Sequence, residues 1–414
     1  MSVSRQHRCA DASYGWRVRT DLSGVDQHRR LRSPVIWFMS FAAALGTATI
    51  YPLQPAIADV ANSLDASLAA VGVALACGPM GYMVGLGLLV SLVDRFPPGR
   101  VLSAQVGALA AALFVSAVVD SVWALGAAIG VIGACSSVGA GLSSVVARLA
   151  SPHRRATMLG IVTAGISAGI LAGRIVGGWL AEVIGWRGML MGFAAACAAV
   201  AVGLLLVVPG TRGKAERGYL ATLRSIPGLL VRYRALRLAA TRGALWFFAF
   251  CAMWAGLAVA LSEPPYSYSA ERIGIYGFAG LLGILATRVS GIYTDRVGAR
   301  RVILVGLVIA GAAAATIGFV LPSAAATLAC LALFDAGLFA AQVANQSTIL
   351  AIDPEAPARF NSAYMLVYFV GGSLGTAFGA AAVERFGWPA TATITAAAIT
   401  VAAAITLRAD DRSI

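Results

Sequence analysis

The sequence predicts an all-α membrane protein of twelve transmembrane helices, arranged as two pseudo-symmetric six-helix bundles. Three observations predict it. The 414-residue chain is broken into twelve apolar runs, most of them near the roughly 20 residues a helix needs to cross hydrocarbon. Basic residues gather in alternate gaps between these runs. The second half of the chain repeats features of the first at a nearly fixed offset.

The runs fall at 35–55, 68–92, 101–119, 122–147, 158–181, 188–208, 243–262, 273–293, 302–321, 324–346, 361–383 and 388–407. They are numbered below as spans one to twelve. Hydrophobic residues make up 59% of the chain and charged residues only 12%, about half the charge of a soluble domain. The net charge of +13 does not indicate nucleic acid, because the basic residues sit in short segments between apolar runs. With both termini in the cytoplasm, 26 of the 31 basic residues lie on the cytoplasmic side, as the positive-inside bias requires. The opposite loops hold only Arg187, Arg272 and Arg385, and Arg174 and Arg288 fall inside spans. All the basic residues but Lys214 are Arg, which with the Ala- and Gly-rich spans looks like a GC-rich bacterial genome; the expected location is therefore a bacterial inner membrane.

The expected organisation is a cytoplasmic tail over 1–33, an N-terminal bundle over 34–208 and a basic cytoplasmic linker over 209–242. A C-terminal bundle over 243–407 and a short tail over 408–414 follow. Residues 1–33 are polar and carry no short apolar core of the secretory type. The linker, with eight basic residues from Arg212 to Arg242, is expected to lie against anionic headgroups. The six cysteines show no CxxC or Cys/His clustering, so they read as packing residues and no metal site is expected.

Three features repeat at offsets of 201 or 202 residues. Asp94-Arg95 with Gly99-Arg100 recurs as Asp295-Arg296 with Gly298 and Arg300-Arg301. Glu182 with Gly185-Trp186 recurs as Glu384 with Gly387-Trp388. Gly169, Gly173 and Gly177 recur as Gly371, Gly375 and Gly379. Repeats of this kind characterise transporters whose substrate site lies between the halves.

On these residues the chain resembles the major facilitator superfamily, from about Pro34 to Leu407. The family loop G-x-x-x-D-R-x-G-R-R is intact as Gly291, Asp295, Arg296, Gly298, Arg300 and Arg301. In the first copy Val90 replaces the glycine, and Phe96-Pro97-Pro98 lengthens the loop by one residue. The run Gly169 to Gly178, with Gly173, Arg174 and Gly177, is similar to the helix-five motif of bacterial twelve-helix drug and metabolite proton antiporters. Arg174 stands where that motif usually has Pro. The resemblance implies a secondary transporter with alternating access, small-molecule substrates and protons as coupling ion, functional as a monomer without a cofactor. Span four has no Arg before Arg148 and span one no acid, so proton-coupling residues cannot be carried over to the N-terminal half.

Asp335 is the leading coupling candidate, the one acid in the core of any span. An intramembrane carboxyl is costly and is a functional hypothesis by default. The other reading is a structural carboxyl hydrogen-bonded to a neighbouring helix. Gln342 and Gln346 follow on the same helical face, so that face is expected to meet a watery cavity. Tyr51 and Gln54 with Thr47, Tyr364 with Tyr368, and Trp246 with Phe250 and Trp254 are further cavity candidates. Arg174 either binds an anionic group or ties helices together, and Arg288 is placed to snorkel to headgroups. The Asp94 and Asp295 loops are candidates to gate the cytoplasmic face, helix N-termini favouring their carboxylates. Gating is the favoured reading for Asp295; for Arg95 and Arg100, in the degraded first copy, the favoured reading is positive-inside topology alone. The glycine stripes are expected to bring the two halves together. No GK[ST] phosphate loop is present and no His falls within a span, so no enzyme chemistry is expected. The leading expectation is proton-driven export. Proton-coupled uptake is the alternative, and a non-transporting sensor or assembly factor comes third.

Overall fold

The computed structural model describes residues 33–93, 95–150, 154–208, 228–353 and 357–409. Asp94, most of the N-terminal tail, linker residues 209–227 and the last five residues lie outside the described residues. Every regular element described is helical. Among the described residues, nine helices are long and apolar enough to cross a membrane. Two of them, Arg155–Val207 and Pro357–Arg408, are 53 and 52 residues long and turn once, at Gly185 (φ 73°) and Gly387 (φ 76°). Only glycine adopts that backbone without a Cβ penalty. Each therefore makes two passes, and the 16-residue Ser33–Ala48 helix completes twelve.

Span one is Ser33–Ala48, span two Leu68–Val93, span three Pro98–Val118 and span four Val122–Leu149. Spans five and six are the two arms about Gly185. Span seven is Arg234–Ser262, span eight Ala270–Val297, span nine Ala299–Val320 and span ten Ala324–Leu350. Spans eleven and twelve are the arms about Gly387. Twelve passes bring both ends of the bundle to one face; the opposite face is called remote below.

Two boundaries depart from expectation for identifiable reasons. Span one stops being helical at Ala48, short of Pro52 and Pro55, which carry no N–H to continue the ladder. Three-residue turns replace it: Ile50 N bonds Thr47 O, Tyr51 N bonds Ala48 O and Gln54 N bonds Tyr51 O. Span seven begins at Arg234, before the expected end of the linker, so Arg242 is inside the bundle. Its side chain is 1% exposed and cannot lie against headgroups.

The glycine stripes correct a further expectation. They do not join the halves. A Cβ at Gly165, Gly169 or Gly173 would overlap the carbonyl of Ser40, Ala44 or Ala48 on span one, and one at Gly177 would meet Pro52. A Cβ at Gly371, Gly375 or Gly379 would overlap Ala244, Phe248 or Ala252 on span seven. Small residues let helix backbones approach, and here they weld span five to one and eleven to seven within each half.

The contacts between halves gather toward the remote face. Ala69 N donates to Glu384 Oε2 at 2.8 Å, and Ser373 Oγ donates to Ala76 O at 2.6 Å. Gly72 sits against Ala380, and Gly178 against Ala270 and Gly274. Further toward the termini, the Tyr82 and Phe369 rings meet across the halves at 4.9 Å.

Candidate functional site

Between the halves lies a cavity of about 210 Å³. Spans one, two and five wall one side of it; spans seven, ten and eleven wall the other. The tight turns after Ala48 deliver Ile50, Tyr51 and Gln54 to the wall. Span seven supplies Trp246, Phe247, Phe250 and Cys251, one helical turn above another. Phe339, Gln342, Tyr368 and Phe369 face them. Phe247 and Tyr368 stack at 4.0 Å between centroids.

Tyr51, Gln54, Gln342, Tyr368 and Trp246 thus line one cavity, as does Arg174. Tyr364 and Gln346 do not. Tyr364 is fully buried behind the wall, where its hydroxyl donates to Gln342 Oε1. Trp246 Nε1 donates to the same oxygen at 3.3 Å. Both donors thus converge on the oxygen of Gln342, which itself lines the cavity. Gln346 donates instead to Asn361 Oδ1 at 3.0 Å. Helical phase put these residues on one face, but packing against span eleven covers part of it.

Arg174 is 3% exposed. Its Nε donates to Gln54 Oε1 at 2.9 Å. The guanidinium lies 4.0 Å from the Trp254 ring centroid and 4.7 Å from that of Tyr51. Trp254 Nε1 in turn donates to Asp335 Oδ1 at 3.2 Å. Asp335 is 1% exposed and borders a small crevice beside the cavity, shared with Arg174, Phe250, Phe339 and Gly280. The two ionisable groups belong to opposite halves and make no direct ion pair; an indole stands between them. Span eight passes this point as a 3₁₀ turn, Tyr276–Ala279, which lets Gly277 pack on the Arg174 Cβ. Mid-helix 3₁₀ turns often mark functional hinges.

Sequence reasoning missed a second buried cation. Arg242 Nε donates to Asn345 Oδ1 at 2.6 Å, and Asn345 Nδ2 donates to Ala239 O at 3.1 Å. Arg242 Nη2 reaches Thr348 Oγ1 at 3.4 Å, and Nη1 has no partner among the described residues. The legible signal was Asn345, a polar residue inside a span. Tyr82 and Phe369 were also missed; Pro79, one turn before Tyr82, lies inside span two beside the cavity.

The loop motifs lie at the terminal face. Gly298 (φ 88°) turns span eight into span nine. Arg300 Nη2 donates to Leu407 O at 2.8 Å. Asp295, Arg296 and Arg301 are exposed, and so are Arg95, Arg100 and Arg288. Gly99 packs on the carbonyl of Val208, and Gly291 faces open space. Among the described residues no cluster of three or more His, Cys, Asp or Glu can hold a metal ion.

A fold of two six-helix halves around a central cavity defines a multi-pass membrane transporter. The Major Facilitator Superfamily pattern matches residues 36–376 and 266–413, and the chain belongs to that family. It is 29% identical over 361 residues to the uncharacterized transporter YgaY of Escherichia coli O157:H7, covering 87% of this chain and 92% of YgaY. It is 29% identical over 360 residues to the probable transporter SCO4007 of Streptomyces coelicolor, covering 87% and 83%. The fold is that of a bacterial homolog of the human lysosomal transporter Spinster in an inward-facing, occupied conformation. The TM-score is 0.74 at 16% identity, covering 91% of this chain and 96% of that one. A mutant of the nucleoside transporter NupG matches with TM-score 0.73 at 14% identity, covering 90% and 97%.

Proposed function

We propose that the chain exports small amphipathic organic molecules across a bacterial inner membrane in exchange for protons. The observation that carries this reading is Asp335: a carboxyl in the core of a span, beside the cavity and next to the opposite half. With both termini in the cytoplasm, as the distribution of basic residues favours, the remote face is periplasmic and the cavity is in its inward-facing state. Solute loads from the cytoplasm into the aromatic cavity. When the halves rock, the remote contacts of Ala69 with Glu384 and Ser373 with Ala76 part, and solute leaves to the periplasm. Asp335 takes a proton from that side and releases it inside after the return. Closure of the cytoplasmic face engages Asp295 with its Arg neighbours, which stand exposed while that face is open. The cavity is built within one chain, so a monomer suffices.

Arg174 favours a second reading, uptake with protons. An anion bound beside Arg174 repels an ionised Asp335, so proton and anion then bind together rather than in turn.

Efflux of a panel of fluorescent amphipathic dyes from cells overexpressing the chain tests export, with and without a protonophore. The expected result is protonophore-sensitive efflux that Asp335→Asn abolishes while protein remains in the membrane. Full gradient-driven transport by Asp335→Asn removes the coupling role.

A further inference from the structure

We propose that the cavity's ligand is a small organic monoanion, a carboxylate on an apolar body, whose charge is held by Arg174. The proposal rests on the reading of this cavity as the transport site, adds the chemical class of its solute and, because anion and proton bind together there, favours uptake with protons over export by exchange.

Among the described residues, Arg174 is the one charged side chain on the cavity wall. It is almost wholly buried, yet among the described residues its side chain has a single hydrogen bond, from Nε to Gln54. Both Nη groups are left without an acceptor among those residues. Neither is sealed from solvent, so both remain reachable from the cavity that Arg174 lines. The nearest acid, Asp335, feels the Arg174 charge but makes no direct ion pair or hydrogen bond with it; its Oδ1 accepts from Trp254 instead. The two Nη groups form the planar fork that carboxylates fit in bidentate fashion.

The surroundings hold that fork in place. Gln54 fixes Nε, while the Trp254 and Tyr51 rings take up guanidinium faces. Aromatic stacking restrains the group without using its N–H donors. The remainder of the wall suits an uncharged body: Phe247, Phe250, Phe339 and Phe369 dominate it, with polar contacts confined to hydroxyl and amide groups. A cation placed there would meet Arg174 with no wall carboxylate to offset the repulsion. The geometry therefore selects one negative charge on an apolar frame, at a volume suited to a phenylalkanoate.

The test is binding to the purified full chain in detergent, read as ligand-induced thermal stabilisation. The probes are matched triplets of phenylalkanoic and C4 to C8 alkanoic acids, their primary amides and their amines. The expected result is that acids bind at least about tenfold more tightly than amides, and amines bind most weakly. Arg174→Gln is expected to equalise acid and amide, and Arg174→Lys to recover part of the preference. Acids that stabilise the wild-type protein no better than amides or amines overturn the proposal, whether or not the Arg174 variants fold. So does an acid preference that persists in folded Arg174→Gln. No gradient is used, so acid-selective binding by a chain that transports nothing would sink the transport reading and leave this assignment standing.

Discussion

At the scale of single residues, the buried polar groups of this chain are satisfied very unequally. Asp335 was legible because an acid in an apolar run is visible without any structure. Its contact with Trp254, and the indole standing between it and Arg174, were not, since they depend on how spans five, seven and ten meet. Arg242 was misread for the opposite reason: a charge next to a polar segment looks like part of that segment. Its burial depends on Asn345, which lies 103 residues away in sequence. Replacing Asn345 with Leu removes the Nε acceptor and leaves a buried guanidinium with only the long contact to Thr348, which costs about 3 kcal/mol. The expected outcome is a clear loss of thermal stability in detergent. Arg288→Gln, at an exposed position, stays within about 0.5 kcal/mol of the parent. Equal stability of the two variants would contradict the assignment of Arg242 to the core.

At the scale of elements, spans were read from length and apolarity, and their order held. The stripes of glycine were also visible, but their partners were not. A repeat of small residues says that something approaches closely and does not say what. The backbone carbonyls of span one fill the stripe on span five, and span seven fills the stripe on span eleven. This makes each pair a rigid unit of its own half. Gly173→Val places side-chain atoms against the Ala48 carbonyl and is expected to cost about 1–3 kcal/mol through overpacking. Gly192, where a Cβ would have nothing within 4 Å, is the control. Gly192→Ala is expected to leave the melting temperature unchanged or raise it, by up to about 1 kcal/mol of helix propensity. Matched thermal melts of the two variants decide between them. A neutral Gly173→Val would mean that spans one and five are not in backbone contact.

At the scale of the whole molecule, the repeat in the sequence becomes a repeat in space. Gly185 and Gly387 turn their helices with the same backbone conformation, and Trp186 and Trp388 each anchor the following arm. Trp186 Nε1 donates to Ser63 Oγ at 2.9 Å, and Trp388 Nε1 donates to Ile317 O at 3.0 Å. Symmetry was therefore legible, whereas the state was not, because it depends on which ends of the halves touch. In this state they join toward the remote face, with the cavity held between Arg174 on one side and Gln342 on the other. Linked binding of solute and proton appears as a change in the proton content of the protein when solute binds.

The most direct test of that coupling is proton exchange by the purified chain in weakly buffered detergent solution, followed with a pH indicator as a bound solute is titrated in. The solute is a dye that is exported in cells or an acid that stabilises the protein. Wild-type protein is expected to release protons if solute and proton exchange, or to take them up if they travel together. Asp335→Asn is expected to do neither while still binding. Saturating binding without any proton change in the wild type, or an unchanged proton signal in Asp335→Asn, would contradict the account.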